Sequence, residues 1–363
     1  MTSALRRLHE LGQSPWFDNL TRAHARGALR SLLDRGIRGV TSNPTIFEKA
    51  MASGSDYDDA LRSLASEGRS AVESYWELVV DDIAAAADLL RPLHDATGAD
   101  GFVSVEVDPD LAHDTDGTVA QARTLSQRLA RPNVMIKIPA TPEGLPAITT
   151  CIAAGINVNV TLIFSLARYD DVVDAFLCGL ERRVAAGADV SAVHSVASFF
   201  VSRVDTETDR RLPDGHPLRG RAAVANARLA YRLFRERCAG DRWAPLEAAG
   251  ARVQRPLWAS TSTKNPAYSP TLYVDQLIGP STVNTLAQAS IDALGDAHAL
   301  EPGTIERDLD AAEAALTGLE AAGVDIDDVT ATLEREGVAA FSASYHDALA
   351  TLEKKAQELR DPA

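Results

Sequence analysis

The sequence predicts an α/β fold, a (β/α)8 TIM barrel with additional C-terminal helices, on three observations. Short apolar runs alternate with longer helical stretches, the pattern of β/α units and a parallel sheet. Eight such runs occur before about residue 300. Seven of them carry a polar or ionisable residue near the C-terminal end, where barrels of this class build their active sites.

Taken in order, the candidate strands are Ser14–Asn19, Ile37–Asn43, Gly101–Asp108, Asn133–Pro139, Ile156–Phe164, His194–Phe200, Arg255–Thr261 and Thr271–Val274. Between the second and third, Val72, Tyr75, Trp76, Val79, Val80, Ile83, Ala87 and Leu90 recur every three or four residues and predict a helix over 71–90. Beyond about residue 300 only helices are expected, over Glu301–Ala322 and Gly337–Leu359. The second carries an apolar stripe of Val338, Phe341, Tyr345, Leu349 and Leu352. A barrel needs ~250 residues, so residues 1–300 are assigned to the catalytic barrel and 301–363 to helices packed on it.

Side chains alternate faces along a strand, which predicts what points inward. Val103, Val105 and Val107 share one face, opposite Ser104 and Glu106. Val134, Ile136 and Ile138 lie opposite Lys137, and Val158, Val160 and Leu162 lie opposite Asn157, Asn159 and Thr161. By the same rule Asp18 shares a face with Trp16, Asn43 with Thr41, Ser198 with Phe200 and Ser260 with Trp258. Each group alone reads as a satisfied structural residue; seven at one end of a barrel read as a site.

Composition limits what such a site serves. The chain has 363 residues, 45% hydrophobic and 24% charged, with a net charge of −15. That is the composition of a soluble globular protein. It carries no basic footprint for nucleic acid or anionic membrane. No run approaches the ~18 apolar residues of a membrane span, and the first ten residues lack a signal-peptide core. Cys151, Cys178 and Cys238 are spaced 27 and 60 apart, which fits neither a zinc site nor a disulfide framework. The expectation is a reduced, cytoplasmic enzyme acting on small molecules, without metal or nucleotide cofactor. Nothing in the sequence bears on its oligomeric state.

Only five of the 36 basic residues are lysines, so a lysine inside an apolar strand is conspicuous. Lys137 follows Val134, Met135 and Ile136 and precedes Ile138 and Pro139. Burial disfavours an ammonium and favours an amine able to attack a carbonyl. That points to Schiff-base chemistry, with Glu106 and Asp18 as the carboxylates for proton transfer. Thr161 with Glu106 is placed to hold a water, and Asn43 and Asn159 offer donors and acceptors to polyol hydroxyls.

These residues also carry a family resemblance. Gly39–Phe47 (GVTSNPTIF) resembles the first transaldolase signature, and Asn133–Thr141 (NVMIKIPAT) the second, around the Schiff-base lysine. Trp16–Asn19, Val105–Asp108, Asn157–Phe164 and Trp258–Thr261 match in order, closest to the longer bacterial transaldolases. The resemblance implies a cofactor-free barrel that moves a dihydroxyacetone unit from sedoheptulose 7-phosphate to glyceraldehyde 3-phosphate in the pentose phosphate pathway. It implies an imine on Lys137, with Asp18 taking the C4 hydroxyl proton and Glu106 acting with Thr161 through a water. Asn43 and Asn159 would hold donor hydroxyls, and Ser198 would line the pocket. Arg203 would bind phosphate, helped by Ser260 and by Lys264, which stands where shorter members have an arginine.

Other readings are weaker. Asp114–Thr118 looks like a phosphatase or calcium-loop start, but no hydrophobic strand precedes it and position 125 is Leu, so it reads as a helix cap. The nearest alternative is a fructose 6-phosphate aldolase on the same barrel. Those relatives carry Gln in place of Glu106 and Tyr in place of Phe200. A non-catalytic sugar-phosphate binder would not need Asp18, Glu106, Lys137 and Thr161 together.

Overall fold

The computed structural model describes residues 3–360. Eight strands form it: β1 (Gln13–Phe17), β2 (Gly39–Thr41), β3 (Phe102–Glu106), β4 (Val134–Pro139), β5 (Val158–Ile163), β6 (Ser195–Phe200), β7 (Arg255–Ala259) and β8 (Thr282–Leu286). They close into a barrel in sequence order, every neighbouring pair parallel and β8 returning to β1. Helices follow the strands and cover the outside, so outward residues such as Val103, Val105, Ile136, Val158 and Val160 are fully buried.

Local signals set the helix ends. Ser70 and Glu73 form a capping box at the start of the helix Ala71–Thr97, and Gly98 ends it in the left-handed region at φ 58°. Val72, counted in the apolar stripe, is solvent-exposed in the first turn. Asp114 caps the helix Thr115–Leu129 by accepting from the Gly117 amide at 3.0 Å, as the capping reading expected.

Three expectations need correction. Thr271–Val274 is not a strand: Leu272–Gln276 is a short helix, and the eighth strand is Thr282–Leu286. The β-formers Thr271, Tyr273 and Val274 mislead there, because Tyr273 and Val274 are buried as helix residues against neighbouring elements. Second, Ser260 does not share a face with Trp258. In β7 the residues in register with inward Ser198 and Phe200 are Leu257 and Ala259, while Trp258 packs edge-on against Phe199 outside. Ser260 still reaches the interior because its φ of 57° breaks the alternation. Third, Leu162 leaves the outer apolar set. Its φ is 59° and the β5–β6 register shifts between Val160 and Ile163, a bulge that re-aims the side chain.

Beyond the barrel, Leu309–Ala321 and Ile326–Arg360 are helical. The second begins eleven residues before the expected 337 and lies across the C-terminal end of the strands.

Candidate active site

Register builds the centre of the site. Glu106 of β3 is paired with Lys137 of β4, and Lys137 with Asn159 of β5. Three inward side chains therefore stand side by side on adjacent strands. Lys137 Nζ lies 3.1 Å from Glu106 Oε2, and the two residues are only 5% and 6% exposed. Burial pushes the Glu106 carboxyl above its ordinary value, with the neighbouring Lys137 charge opposing. Glu106 Oε2 has no aligned hydrogen bond despite this contact, and the buried Thr161 hydroxyl has no protein partner. Asn159 donates to Ser104 Oγ at 3.0 Å and accepts from Ser198 Oγ at 2.7 Å, so its amide orientation is set from both sides.

Around this centre opens a cavity of about 320 Å³, a volume within the range of small-molecule sites. Of the ten residues expected from sequence, eight line it: Asp18, Asn43, Lys137, Thr161, Ser198, Arg203, Ser260 and Lys264. The other two, Glu106 and Asn159, lie beside Lys137 in register. Asp18 follows β1, and its Oδ1 accepts from Thr41 Oγ1 at 2.9 Å. Asn43 caps the helix Pro44–Ala52 by accepting from the Ile46 amide at 3.0 Å, which leaves its amide donors for the cavity.

Arg203 sits in the first turn after β6, with its guanidinium 5.2 Å from the centre of the Phe200 ring. Burial lowers its pKa, while the charges of Asp18 and Glu336 act in the opposite direction. Ser260 shares a hydrogen bond with Ser202 at 2.9 Å, which ties the β7 loop to the β6 loop beneath Arg203. Lys264 is exposed on the rim.

Among the other residues that line the cavity, Thr41, Lys49, Thr285 and Phe341 had not been singled out as site residues. Lys49 carried a usable signal, since Lys49, Lys137 and Lys264 are three of the chain's five lysines. Phe341 lies 55 residues beyond the last strand, and its place in an apolar stripe read as packing alone. Its ring centre is 5.6 Å from Lys137 Nζ.

Fold and mouth together define a (β/α)8 barrel enzyme with a buried lysine–carboxylate pair. The family described as Transaldolase/Fructose-6-phosphate aldolase matches residues 15–352. The transaldolase of Thermobifida fusca (strain YX) is 52% identical, covering 99% of both chains. That of Acidothermus cellulolyticus is 51% identical, again over 99% of both. Transaldolase 1 of Streptomyces coelicolor is 51% identical over 97% of this chain and 94% of its own. The chain belongs to the transaldolase/fructose-6-phosphate aldolase family.

Proposed function

We propose that this enzyme, a transaldolase, moves a dihydroxyacetone unit from sedoheptulose 7-phosphate to glyceraldehyde 3-phosphate through an imine on Lys137. The products are erythrose 4-phosphate and fructose 6-phosphate, a step of the pentose phosphate pathway. The observation that carries this is the Lys137–Glu106 pair, buried at 3.1 Å at the base of a cavity. The amine attacks the ketose carbonyl at C2. Glu106, whose carboxyl is raised by burial, takes and returns protons through a water held with the Thr161 hydroxyl. Water leaves as the imine forms. Asp18 then removes the C4 hydroxyl proton, the C3–C4 bond breaks, and the electron pair passes into the imine to give an enamine. That electron sink lies in the substrate–lysine adduct itself.

Asn43, Asn159 and Ser198 hold donor hydroxyls. Arg203, Ser260 and Lys264 bind the phosphate, Arg203 by parallel charge-assisted bonds and Lys264 as a point charge. Arg203 and Lys264 stand on adjacent rim loops, after β6 and β7, so one phosphate reaches both. Glu106 and Phe200 favour transfer over the lyase reading. Three free cysteines, one of them buried, agree with a reducing cytoplasm.

The reading is tested by borohydride reduction with fructose 6-phosphate, followed by peptide mapping. One adduct is expected, on Lys137; an adduct on Lys264 or none at all overturns the imine.

A further inference from the structure

The C-terminal helix Ile326–Arg360 approaches the mouth with one ridge, made by residues four apart: Gly337, Phe341 and Tyr345. Gly337 lies so near β5 that a Cβ there would stand 2.9 Å from Leu162 Cδ2 and 3.7 Å from Arg203 Nη1. Phe341, only 4% exposed, stands over Lys137. Tyr345 lies beside Asp108, just past β3, and packs edge-on against Tyr75 at 5.0 Å. The ridge thus runs along the β3–β4–β5 side of the rim, above the Glu106–Lys137–Asn159 row.

The helix is held there on both flanks. Ser344 shares a hydrogen bond with Thr45 at 2.8 Å, Ser342 donates to Asp110 at 2.6 Å, and Lys355 donates to the Gly54 carbonyl at 2.8 Å. These ties join it to the helix Pro44–Ala52 with the loop that follows, and to the segment after β3. Leu162, left-handed within β5, is the residue that a Cβ at Gly337 would meet first.

We propose that Phe341 determines specificity for transfer by keeping solvent off the three-carbon intermediate on Lys137. This rests on the imine reading above. After C3–C4 cleavage the intermediate is an enamine with an electron pair at C3, and it has two fates. In transfer, C3 attacks the acceptor aldehyde, a C–C bond forms, the acceptor oxygen takes the proton held by Asp18, and water then adds at C2 to free the new ketose from the lysine amine. In release, solvent donates a proton to C3, water adds to the resulting iminium at C2, and the carbinolamine expels the lysine amine as dihydroxyacetone departs. Hydrolysis at C2 is common to both routes; protonation at C3 belongs to release alone, and it needs solvent over the adduct, where the Phe341 ring stands.

The test compares Phe341→Ala and Phe341→Leu with the wild type. Two quantities are measured: dihydroxyacetone released from fructose 6-phosphate without acceptor, and transfer with erythrose 4-phosphate present. Their ratio is independent of the folded fraction, so partial misfolding does not blur it. The ratio is expected to rise about tenfold or more in Phe341→Ala, equivalent to ~1.4 kcal/mol between two barriers. In Phe341→Leu it should return towards the wild-type value. An unchanged ratio, or transfer and release falling together in both variants, overturns the proposal. Borohydride trapping in parallel separates the two readings. Without a Lys137 adduct in the wild type, the imine itself fails, and the role of Phe341 fails with it. An adduct in all three proteins with equal ratios removes only the role given to Phe341.

Discussion

Two buried carboxylates stand at opposite ends of the same barrel, and they are treated differently. Asp100, 2% exposed, lies just before β3 among the N-terminal strand ends. It accepts from Ser14 Oγ at 2.7 Å, from Arg255 Nη1 at 3.2 Å and from Arg38 Nε at 2.5 Å. Burial alone would raise its carboxyl; Arg255, Arg38 and Ser14 outweigh that and hold it below the ordinary value. Glu106, at the C-terminal end of β3, faces one lysine and no further aligned donor, and burial raises it. Satisfying a buried carboxylate on every side makes it a clamp. Leaving it under-partnered keeps a proton within exchange.

The sharpest way to break this contrast is Glu106→Gln, which retains shape but cannot exchange a proton with water. Turnover is expected to fall ~10²–10⁴-fold, the usual weight of one positioned acid–base group. Ketose-phosphate binding should persist in equilibrium titration, and the urea midpoint should move less than in the floor variant below. Turnover within threefold of wild type would move the proton-transfer role elsewhere, with Asp18 the next candidate.

Asp100→Asn tests the other end. It leaves Arg38 and Arg255 facing one another without their counter-ion. Both side chains retain 17% exposure, so the cost should sit at the low end for a broken buried pair, about 3 kcal/mol in urea unfolding. Turnover per folded molecule should stay within twofold of wild type. A stable but inactive variant would mean that the floor communicates with the chemistry.

The smallest effect is in pH dependence, where the two groups have opposite signs. Asp100 is depressed, so its stabilisation is complete above the ordinary value of 3.8 and is lost as pH falls through the lower folded-state value. The stability gap between wild type and Asp100→Asn should therefore close in acid. Glu106 is raised, so its contribution is complete below the ordinary 4.5 and declines as pH rises through the folded-state value. The gap between wild type and Glu106→Gln should shift against the wild type over that interval. Gaps moving the same way in both variants would refute the contrast.

What was legible in the sequence follows from which interactions are local. Strand alternation put Ser104, Glu106, Lys137, Asn159 and Thr161 inward, because within a regular strand the face is a matter of parity. Parity failed at Ser260 and Leu162, where a positive φ in a non-glycine residue leaves no mark in composition. The eighth strand was missed because Thr271–Val274 has the stronger β-forming side chains, while Thr282–Leu286 gains its place by pairing with β1 and β7. The floor around Asp100 was not read at all: its partners Ser14, Arg38 and Arg255 come from three distant segments. Phe341 was seen only as packing, since nothing in its neighbourhood indicates that the surface it covers is a lysine.

The roof over Lys137 is also made late. Synthesis runs from the N-terminus at ~5–20 residues per second, so all eight strands are available to pair before Phe341 is translated. A barrel closed at that stage would leave the Lys137 amine without its Phe341 cover for several seconds. A chain that ended in the loop after β8 would lack the ring that stands 5.6 Å from Lys137 Nζ. The cover over Lys137 is therefore completed only after the last strand of the barrel has been made.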